Sequence, residues 1–453
     1  MPSFISEDDI EQALIAKLRE KWSETYNFES LNCFTTEASD LNDKSGRSDK
    51  RDVILADRVR SAAKRLNQTD DRHIPDAAID QAVSQLTSRR SAMSMIAANR
   101  ELDSLIRDGI KVEFDGPDGK TETDRVRLID FDDPTNNDFL AVTQLWIAST
   151  GSASLAGYRR PDVILYVNGI PLVFFELKNS NIKLKSAFDD NLTNYKKDIP
   201  QLFHAGAFVV LSNAVETKIG SPSATWEYFF HWLRPDDETE KIDRKKIEDD
   251  QTSLERLVDG LLDPPKLLDY VENFCVYYKE DQKIIAQNHQ FLGVNKGYDA
   301  FCNREELAGK LGVFWHTQGS GKSFSMIFYT RKIFRKQTGN FTFVVVTDRR
   351  DLDSQIYRNF LHTETVKKNE VCQPTNSEEM RKFLGQNKRM VFTLIQKFRW
   401  PKGQTYPQLT DRGRDIIVIV DEAHRSQYED LAENMRAGLK DANFIAFTGT
   451  PLL

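Results

Sequence analysis

Two groups of residues in this chain have the types and spacing needed for chemistry on phosphates. The first is Gly319-Ser320-Gly321-Lys322-Ser323, which follows a short apolar stretch and precedes apolar residues at helical spacing. Glycines let backbone N–H groups turn toward a polyphosphate, and the start of a helix adds partial positive charge. Lys322 can reach the terminal phosphates, and the Ser323 hydroxyl can bind Mg²⁺. The pattern predicts an ATP-binding loop, although His316 stands where the strict pattern has its first glycine. The residues assigned to nucleotide binding in this loop are Thr317, Gln318, Gly319, Ser320, Gly321, Lys322 and Ser323.

A second group, nearer the N-terminus, combines two acids with a lysine. Asp162 follows Arg160-Pro161, and Glu176 and Lys178 lie two residues apart at the end of an apolar run. Two carboxylates can bind Mg²⁺ for phosphodiester cleavage, and a lysine can position the attacking water and offset developing charge. We predict that Asp162 and Glu176 are metal ligands and that all three residues are catalytic. The alternative is a surface hairpin with an ordinary Glu/Lys pair.

The elements that must position these acids form a predicted β-hairpin. Strand-like runs flank Asn168-Gly169, a dipeptide typical of tight turns. A regular two-residue turn would place Phe175 opposite Asp162, so Asp162 and Glu176 would lie on different faces. The catalytic interpretation therefore requires a loop of odd length, or a bulge near Pro171 or at Asp162. We also expect the face that carries Glu176 to be polar or catalytic.

A third acidic group follows a predicted strand in the second half of the chain. The apolar run Ile416 to Val420 ends in Asp421-Glu422. Beside a phosphate-binding loop, Asp421 can hold the Mg²⁺ of Mg·ATP, and Glu422 can orient and deprotonate the attacking water. The alternative is that both acids simply begin a helix.

Strands and helices alternate along the second half of the chain. Short Val/Ile/Phe runs separated by helical segments predict a parallel sheet covered on both faces, with ligands bound beyond the carboxyl ends of its strands. A dense run of charges at 234–250 indicates a solvated linker, where we place a domain boundary. The predicted strands are Gly312–Trp315, Phe341–Thr347, Met390–Leu394, Ile416–Val420 and Phe444–Thr448.

Composition excludes several classes of protein. The 453 residues are 40% hydrophobic, with length for about three domains, and no apolar run approaches a membrane span. The four cysteines are scattered, which argues against a disulfide framework or a zinc site and indicates reduced thiols in a cytoplasmic protein. The lack of a long apolar run leads us to expect no membrane partner. The net charge of −7 argues against non-specific coating of nucleic acid, but it allows a local basic groove.

The motifs of the second half resemble the superfamily 2 helicases and translocases. The resemblance rests on the phosphate-binding loop, on Asp421-Glu422-Ala423-His424, and on Thr448-Gly449-Thr450, which would couple ATP to DNA. It implies that Gln290 reads adenine. Three further residues would meet DNA phosphates, namely Arg349, Thr393 and Lys397.

The first half resembles Pro-Asp…(Asp/Glu)-x-Lys nucleases, and the whole arrangement resembles the R subunit of type I restriction enzymes. The motifs run from Arg160 to Pro451 in that family's order. A glutamine–tyrosine motif of the family implies a catalytic role for Tyr195, with Asn191 at the glutamine position. An acid from an early helix is also expected, for which Glu11 is the candidate.

The resemblance implies an α/β architecture with a PD-(D/E)xK-type nuclease domain at 1–233, a charged linker at 234–262, and a first RecA-like lobe at 263–453. It further implies ATP and Mg²⁺ as cofactors, double-stranded DNA as substrate, and methylation (M) and specificity (S) subunits as partners. The family's second RecA-like lobe would follow residue 453, so we expect an N-terminal fragment with weak activity alone.

Two other functions remain open. One is a stand-alone, nucleic-acid-stimulated ATPase whose N-terminal domain is not catalytic. The other is a binding module without turnover.

Overall fold

Two six-stranded sheets organise the part of the chain that the computed structural model describes. The described residues are 5–116, 119–150, 157–237, 240, 252–315, 321–386, 388–401, 404, 406–421 and 429–449. The chain divides into two units, the first Met1–Val276 with Glu280–Asn288 and the second Tyr277–Lys279 with His289–Leu453. None of the helices in the described part is long and apolar enough to cross a membrane.

The sheet of the first unit is mixed, with the strand order β1-β6-β9-β10-β11-β12. The middle strand β9 pairs antiparallel with both β6 and β10. On the outer sides, β1 pairs in parallel with β6, and β11 pairs in parallel with β10. The two central strands are buried along their whole length, so the sheet is covered on both faces. Its strands are β1 (Asn27–Asn32), β6 (Asp138–Thr143), β9 (Val163–Val167), β10 (Ile170–Leu177), β11 (Phe208–Ser212) and β12 (Thr217–Gly220).

Helices and short hairpins surround this sheet. The first helix, α1, begins with a capping box, in which Ser6 and Asp9 satisfy each other's backbone N–H groups, and it buries Ile10, Leu14 and Leu18. The helices of the first unit are α1 (Glu7–Trp22), α2 (Ala56–Asn67), α3 (Asp76–Thr87), α4 (Met95–Asp108), α5 (Leu184–Ser186), α6 (Thr193–Asp198), Ser253–Asp259 and Pro264–Asn273. Paired short strands are β2 (Gln68–Thr69) with β3 (Arg72–His73), β4 (Ile110–Asp115) with β5 (Thr121–Val126), β7 (Ile147–Ala148) with β8 (Tyr158–Arg159), and β13 (Cys275–Tyr278) with β14 (Gln282–Ile285).

The sheet of the second unit is parallel, as predicted, with the strand order β15-β20-β19-β16-β18-β17. All five predicted strands are present, and the short edge strand β17 was not predicted. The strands are β15 (Lys310–Trp315), β16 (Thr342–Thr347), β17 (Val371–Cys372), β18 (Met390–Leu394), β19 (Ile416–Asp421) and β20 (Asn443–Thr448). The helix Asn288–Cys302 precedes β15, and the helices between the strands are Lys322–Lys336, Arg350–His362, Ser377–Leu384 and Glu429–Gly438.

The predicted boundary between the two domains is too early. Residues 252–276 belong to the first unit, because helix Ser253–Asp259 is tied to α1 by an ion pair of 2.9 Å between Lys21 Nζ and Asp259 Oδ1. Tyr270, on the next helix, is fully buried with its ring edge-on to Phe208. Most of the charged segment 234–250 lies outside the described residues. The division falls at Asn288/His289, instead of within 234–262.

The expectation of a polar face on the second strand of the hairpin is also wrong. Phe174 shares the face of Glu176 because side chains alternate along a strand, and its ring packs edge-on against Tyr195 at 5.6 Å. The helix that includes α5 and α6 covers this face and buries it in an apolar core. Glu176 therefore lies at the end of an apolar surface.

Candidate functional site

A β-bulge in the β9–β10 hairpin sets the geometry of the candidate nuclease site. The turn at Asn168-Gly169 has two residues, both with positive φ, and Val167 pairs with Ile170. The register then shifts by one residue between Pro171 and Val173, so that Phe175 pairs with Val163. Continuing this register by one step places Asp162 opposite Glu176. The bulge near Pro171 that the catalytic interpretation requires is present.

The turn is fixed by contacts that leave little freedom in this register. The Asn168 side chain is fully buried, donating to the carbonyl of Leu128 at 2.9 Å and accepting from the backbone N–H of Asp138 at 2.8 Å. A Cβ at position 169 would lie 2.7 Å from the carbonyl oxygen of Leu55, so only glycine fits there. The hairpin is therefore anchored at the end opposite to the acids.

The carboxylates and the lysine predicted as catalytic meet at the other end of the hairpin. Asp162 Oδ2 accepts a hydrogen bond from the backbone N–H of Leu177 at 2.7 Å, which holds the carboxylate beside β10. Lys178 Nζ donates to Glu176 Oε1 at 2.8 Å and to the Leu177 carbonyl at 2.9 Å. The structure thus brings Asp162, Glu176 and Lys178 together.

Helix α1 adds further acids to this cluster. Glu7 Oε1 lies 3.8 Å from Lys178 Nζ. Glu11 is almost fully buried and accepts a hydrogen bond from Gln144 Nε2 at 2.6 Å. Gln144 is itself held at the site, because its backbone N–H donates to the carbonyl of Asp162 at 3.0 Å. Glu11, the acid expected from an early helix, is therefore placed beside the hairpin acids.

Burial makes the acids of this cluster weak. Loss of hydration raises the pKa of Asp162 to about 6, against the Leu177 hydrogen bond and the charge of Lys178. Burial, together with the charge of Asp162, raises the pKa of Glu176 to about 8, and Lys178 opposes that shift. Burial also raises the pKa of Glu11. Acids in this state favour binding of a cation, because a cation offsets the cost of ionising them.

The donor set fits a divalent metal held by few protein ligands. Glu176 Oε2 is buried without a hydrogen-bond partner among the described residues, and Oε1 already faces the ammonium of Lys178. The described part of the chain contains no group of three or more His, Cys, Asp or Glu side chains that could hold a metal. Mg²⁺ commonly uses one or two carboxylates and keeps several waters, which two hairpin acids can satisfy.

Tyr195 lies on an irregular helix that packs against the same acids. Residues Ala187–Leu192, between α5 and α6, form a π-helix, an irregularity often found at functional sites. The Tyr195 hydroxyl donates to the carbonyl of Arg160 at 3.3 Å. Burial, then the charges of Glu176 and Asp162, raise the pKa of Tyr195, and the amide of Asn191 opposes that shift. The predicted Asn191–Tyr195 pair thus meets the nuclease cluster.

The second unit brings together the parts of the predicted nucleotide site that the structure describes. Gly321 has φ +83° and starts the helix that carries Lys322 and Ser323. Lys322 Nζ lies 3.7 Å from Asp421 Oδ1, at the carboxyl end of β19. Residues Thr317, Gln318, Gly319, Ser320 and Glu422 lie outside the described residues.

Gln290 lies directly against the phosphate-binding helix. Its side-chain Nε2 donates to the carbonyl of Gly321 at 3.0 Å and to Ser325 Oγ at 3.3 Å. A Cβ at position 321 would come within 2.9 Å of that nitrogen. These contacts place Gln290 beside the start of the helix that carries Lys322 and Ser323.

The three residues expected to meet DNA phosphates differ in their exposure. The side chain of Arg349 is 61% exposed, and Lys397 is half-buried with Nζ donating to the carbonyl of Thr375. Thr393 is buried within β18, so it is not available at a surface. Its expected contact with a DNA phosphate is wrong for this conformation.

Two family profiles match the chain, and their limits follow the two units. Residues 4–228 match the family described as type I restriction enzyme R protein N terminus, and residues 289–453 match the family described as SWI2/SNF2 ATPase. The type I restriction enzyme HindI endonuclease subunit of Haemophilus influenzae is 35% identical, over 99% of this chain and 43% of its own length. The chain belongs to the R-subunit family of type I restriction enzymes.

Other relatives agree with this assignment. The putative type I restriction enzyme MjaIXP endonuclease subunit of Methanocaldococcus jannaschii is 37% identical, over 77% of this chain and 34% of its own length. The chain therefore spans less than half the length of the R subunits it matches. Among solved structures, the UvsW helicase of bacteriophage T4 is similar with a TM-score of 0.30 and 11% identity, over 41% of this chain and 59% of that chain. That likeness is too weak to support any assignment.

Three residues in or beside this candidate cluster were not predicted from the sequence. Glu7 and Gln144 reach it through folding of distant segments, and no local pattern marks them. Gln144 does have a positive φ of 58°, but that is visible only in the structure. Arg160 belongs to the Arg-Pro-Asp motif, but the sequence gives no sign that its guanidinium lies against the rings of Phe34 and Trp146.

Proposed function

We propose that this chain carries the nuclease and the first motor lobe of an R subunit that moves double-stranded DNA with ATP and cuts it away from the recognition site. The observation that supports this most directly is the bulge in the hairpin, which aligns Asp162 with Glu176 beside Lys178. A structural hairpin has no need of two buried acids with raised pKa values at one end.

In the nuclease, Asp162 and Glu176 would hold Mg²⁺ through carboxylate oxygens. When bound, such an ion supplies Lewis-acid activation of the phosphodiester and of water. Lys178 already lies 2.8 Å from Glu176 Oε1, where it can position the attacking water and stabilise charge on the phosphate. Tyr195 covers the acids from the helix side and limits access of bulk water, while Glu11 and Gln144 hold the α1 side of the cluster.

In the second unit, the backbone of the loop 317–321 and the start of the helix at Lys322 would bind the phosphates of ATP. Lys322 would neutralise phosphate charge, and Ser323 with Asp421 would hold Mg²⁺. Glu422 would orient and deprotonate the attacking water, and Gln290 would recognise adenine. An ATPase family profile over this unit is consistent with nucleotide use in general.

We further propose that the partners are the methylation and specificity subunits of the same complex, with the specificity subunit choosing the DNA site. The relatives are named as endonuclease subunits of type I restriction enzymes, so a role within such an assembly is the simplest inference. We propose that the protein acts in the cytoplasm, where bacterial and archaeal DNA is found.

The decisive experiment is Asp162→Asn in the intact protein assembled with its partner subunits. Because the variant keeps the size of the side chain but removes its charge, we expect cleavage of long unmethylated DNA to fall by about 10³-fold, equivalent to several kcal/mol. DNA-stimulated ATP hydrolysis should stay unchanged. The matched control is Asp138→Asn, at the turn end of the same sheet, where Asp138 pairs with Arg65.

Persistent cleavage by the Asp162→Asn variant would reject the nuclease assignment. It would favour the alternative of a nucleic-acid-stimulated ATPase with a non-catalytic N-terminal domain. Loss of ATP hydrolysis together with cleavage would instead reject the division of roles between the two units.

A further inference from the structure

Arg160 lies between two aromatic rings, two residues before Asp162, the metal-binding acid of the proposed nuclease. Its Cζ atom is 5.1 Å from the ring centroid of Phe34 and 4.9 Å from that of Trp146. Among the residues that the structure describes, none forms a hydrogen bond or an ion pair with this guanidinium. Within that part of the chain, none of its five N–H donors is engaged, so each can serve a ligand.

The two rings belong to segments that are held by hydrogen bonds. Trp146 is held by hydrogen bonds at both ends: its Nε1 donates to the carbonyl of Thr35 at 3.0 Å, and its carbonyl accepts from Arg47 Nη2 at 3.0 Å. The backbone N–H of Phe34 donates to Asn32 Oδ1 at 2.9 Å, and its side chain is 52% exposed. Cation–π contacts can thus orient the guanidinium without using its donors.

The neighbouring arginine shows the contrast. Arg159 Nε donates to Asp198 Oδ2 at 2.7 Å, and its Nη2 contacts the same carboxylate. The Arg159 guanidinium is therefore engaged in an ion pair within the protein. The Arg160 guanidinium, one position later, forms no such ion pair with the described residues.

The acids of the proposed nuclease cluster would repel DNA, so a nearby side chain with positive charge would help DNA to bind there. Four carboxylates gather at the cluster, from Glu7, Glu11, Asp162 and Glu176, against the single ammonium of Lys178. Those acids that are ionised repel an approaching DNA phosphate unless a fixed positive charge lies close by. Arg160 stands at the edge of the cluster, because it lies two residues from Asp162 and its carbonyl accepts from the Tyr195 hydroxyl at 3.3 Å. Its charge also opposes the rise that burial causes in the pKa of Glu11.

We propose that Arg160 is a DNA-binding residue whose guanidinium, held between Phe34 and Trp146, binds a backbone phosphodiester of the strand entering the nuclease site. The planar guanidinium matches two phosphate oxygens at once. The Arg160 carbonyl accepts from the Tyr195 hydroxyl, which ties this phosphate contact to the helix that covers the acids. The inference rests on the proposed nuclease function.

The test measures DNA affinity in the absence of divalent metal, so that cleavage plays no part. The full chain is titrated onto a short duplex by fluorescence anisotropy at several salt concentrations. Loss of one phosphate contact lowers the slope of log affinity against log salt by about 0.9. We expect Arg160→Met, which keeps the length of the side chain, to bind about 10-fold more weakly with that lower slope. Arg160→Lys should keep the slope and lose part of the affinity.

Arg58→Met is the matched control. Arg58 lies beside the hairpin turn, at the end of the sheet opposite to the acids, and its Nη2 pairs with Glu29 Oε2 at 2.6 Å. The same change in net charge there should leave affinity and slope as in the unaltered chain. This separates a local contact from a general effect of charge.

Three outcomes would overturn the inference: unchanged affinity and slope in Arg160→Met, equal effects of Arg58→Met and Arg160→Met, or no binding by the unaltered chain at the lowest salt. A lower melting temperature with an unchanged slope would show a purely structural role and would also reject it. The proposed nuclease function fails separately, through persistent cleavage by Asp162→Asn.

Discussion

In the first unit, Asp162 and Glu176 share a face only because one extra residue, Leu172, interrupts the pairing of β9 and β10. In the second unit, Lys322 and Asp421 approach to 3.7 Å because parallel strands deliver their carboxyl ends to one edge of a sheet. The first site depends on register and the second on topology. Inserting or deleting one residue changes a strand register and turns side chains to the other face. In a parallel sheet, all strands end at the same edge, so residues at those ends stay close together.

The two sites also differ in what surrounds their acids. Glu176 lies near the end of an apolar strand and is covered by an irregular helix, so burial raises the free energy of ionising its carboxyl group. Asp421 is buried too, but it faces a lysine that begins a helix. The buried acids of the first site share the single ammonium of Lys178 and therefore need a further cation to be fully ionised at neutral pH. In the second site, Asp421 lies 3.7 Å from the ammonium of Lys322.

The largest expected effect comes from shifting the register of β10. Insertion of one valine between Val173 and Phe174 would place Phe175 opposite Asp162 and turn Glu176 to the other face. We expect DNA cleavage by the assembled enzyme to fall by about 10³-fold or more. ATP hydrolysis, measured on the same preparation, should persist.

Deletion of Leu172 is the informative partner of that insertion. It removes the bulge but leaves Asp162 opposite Glu176 in a regular hairpin, so cleavage should be retained at a reduced level. An inserted residue after Gln404, which is itself exposed and precedes β19, should leave nucleotide binding intact because strand ends set that site. Equal tolerance of both insertions would contradict the contrast between register and topology.

A smaller effect is expected from Lys322→Ala in the second unit. Loss of a charged hydrogen bond to phosphate costs about 1.5–3 kcal/mol, so ATP should bind about 10–100-fold more weakly. Binding of a fluorescent ATP analogue measures this directly. Lys332→Ala, on the same helix but paired with Asn295 at 2.6 Å, is the control and should bind nucleotide normally.

The third prediction concerns pH and the buried Glu176. Its folded-state pKa of about 8 lies above the ordinary value of 4.5, so the folded protein holds a proton that the unfolded chain releases. This group's contribution to stability is complete below pH 4.5 and is lost as pH rises through about 8. Without divalent metal, Glu176→Gln should therefore raise the free energy of unfolding at pH 9 relative to pH 5, by on the order of 1–3 kcal/mol.

Thermal unfolding at the two pH values measures this difference between the variant and the unaltered chain. Glu29→Gln, an exposed glutamate paired with Arg58, is the control and should show no comparable gain. A variant that is equally stabilised at both pH values would contradict a buried, protonated Glu176.

The sequence was more informative about the second unit than about the first. Short apolar runs predicted its five main strands, because a parallel sheet buried on both faces needs such runs. In the first unit, the Asn168-Gly169 turn and the need for a bulge could be predicted, but the position of the bulge could not. Burial of Glu176 depends on the helix of Tyr195 packing over the end of β10, a contact between separate elements of the chain. The same is true of Gln144 and Glu7, which lie far from the hairpin in sequence.

The boundary between the units shows a similar limit. A dense charge run is typical of a linker, but Tyr270 and Asp259 beyond it return to the first unit through an aromatic contact and an ion pair. Such contacts carry no local sequence pattern. Local turns and strand periodicity could be predicted, whereas contacts between remote segments could not.

The smallest expected effect tests whether the nuclease cluster depends on the start of α1. Two helices of the first unit begin with a serine whose Oγ accepts a backbone hydrogen bond: Ser6 from Asp9 at 3.1 Å and Ser94 from Ala97 at 3.2 Å. Helix α1 carries Glu7 and Glu11, which belong to the cluster, whereas α4 carries none of its residues. The two caps therefore form a matched pair.

Ser6→Ala and Ser94→Ala should each lower the free energy of unfolding by about 1 kcal/mol, the usual cost of losing a helix cap. Only Ser6→Ala should also slow DNA cleavage, by a few-fold, because fraying of the first turn of α1 loosens Glu7 from Lys178, to which it lies within 3.8 Å. Chemical denaturation gives the stability change, and single-turnover cleavage by the assembled enzyme gives the rate. If both variants slowed cleavage equally, the effect would come from general destabilisation, and the start of α1 would have no specific part in holding the nuclease acids.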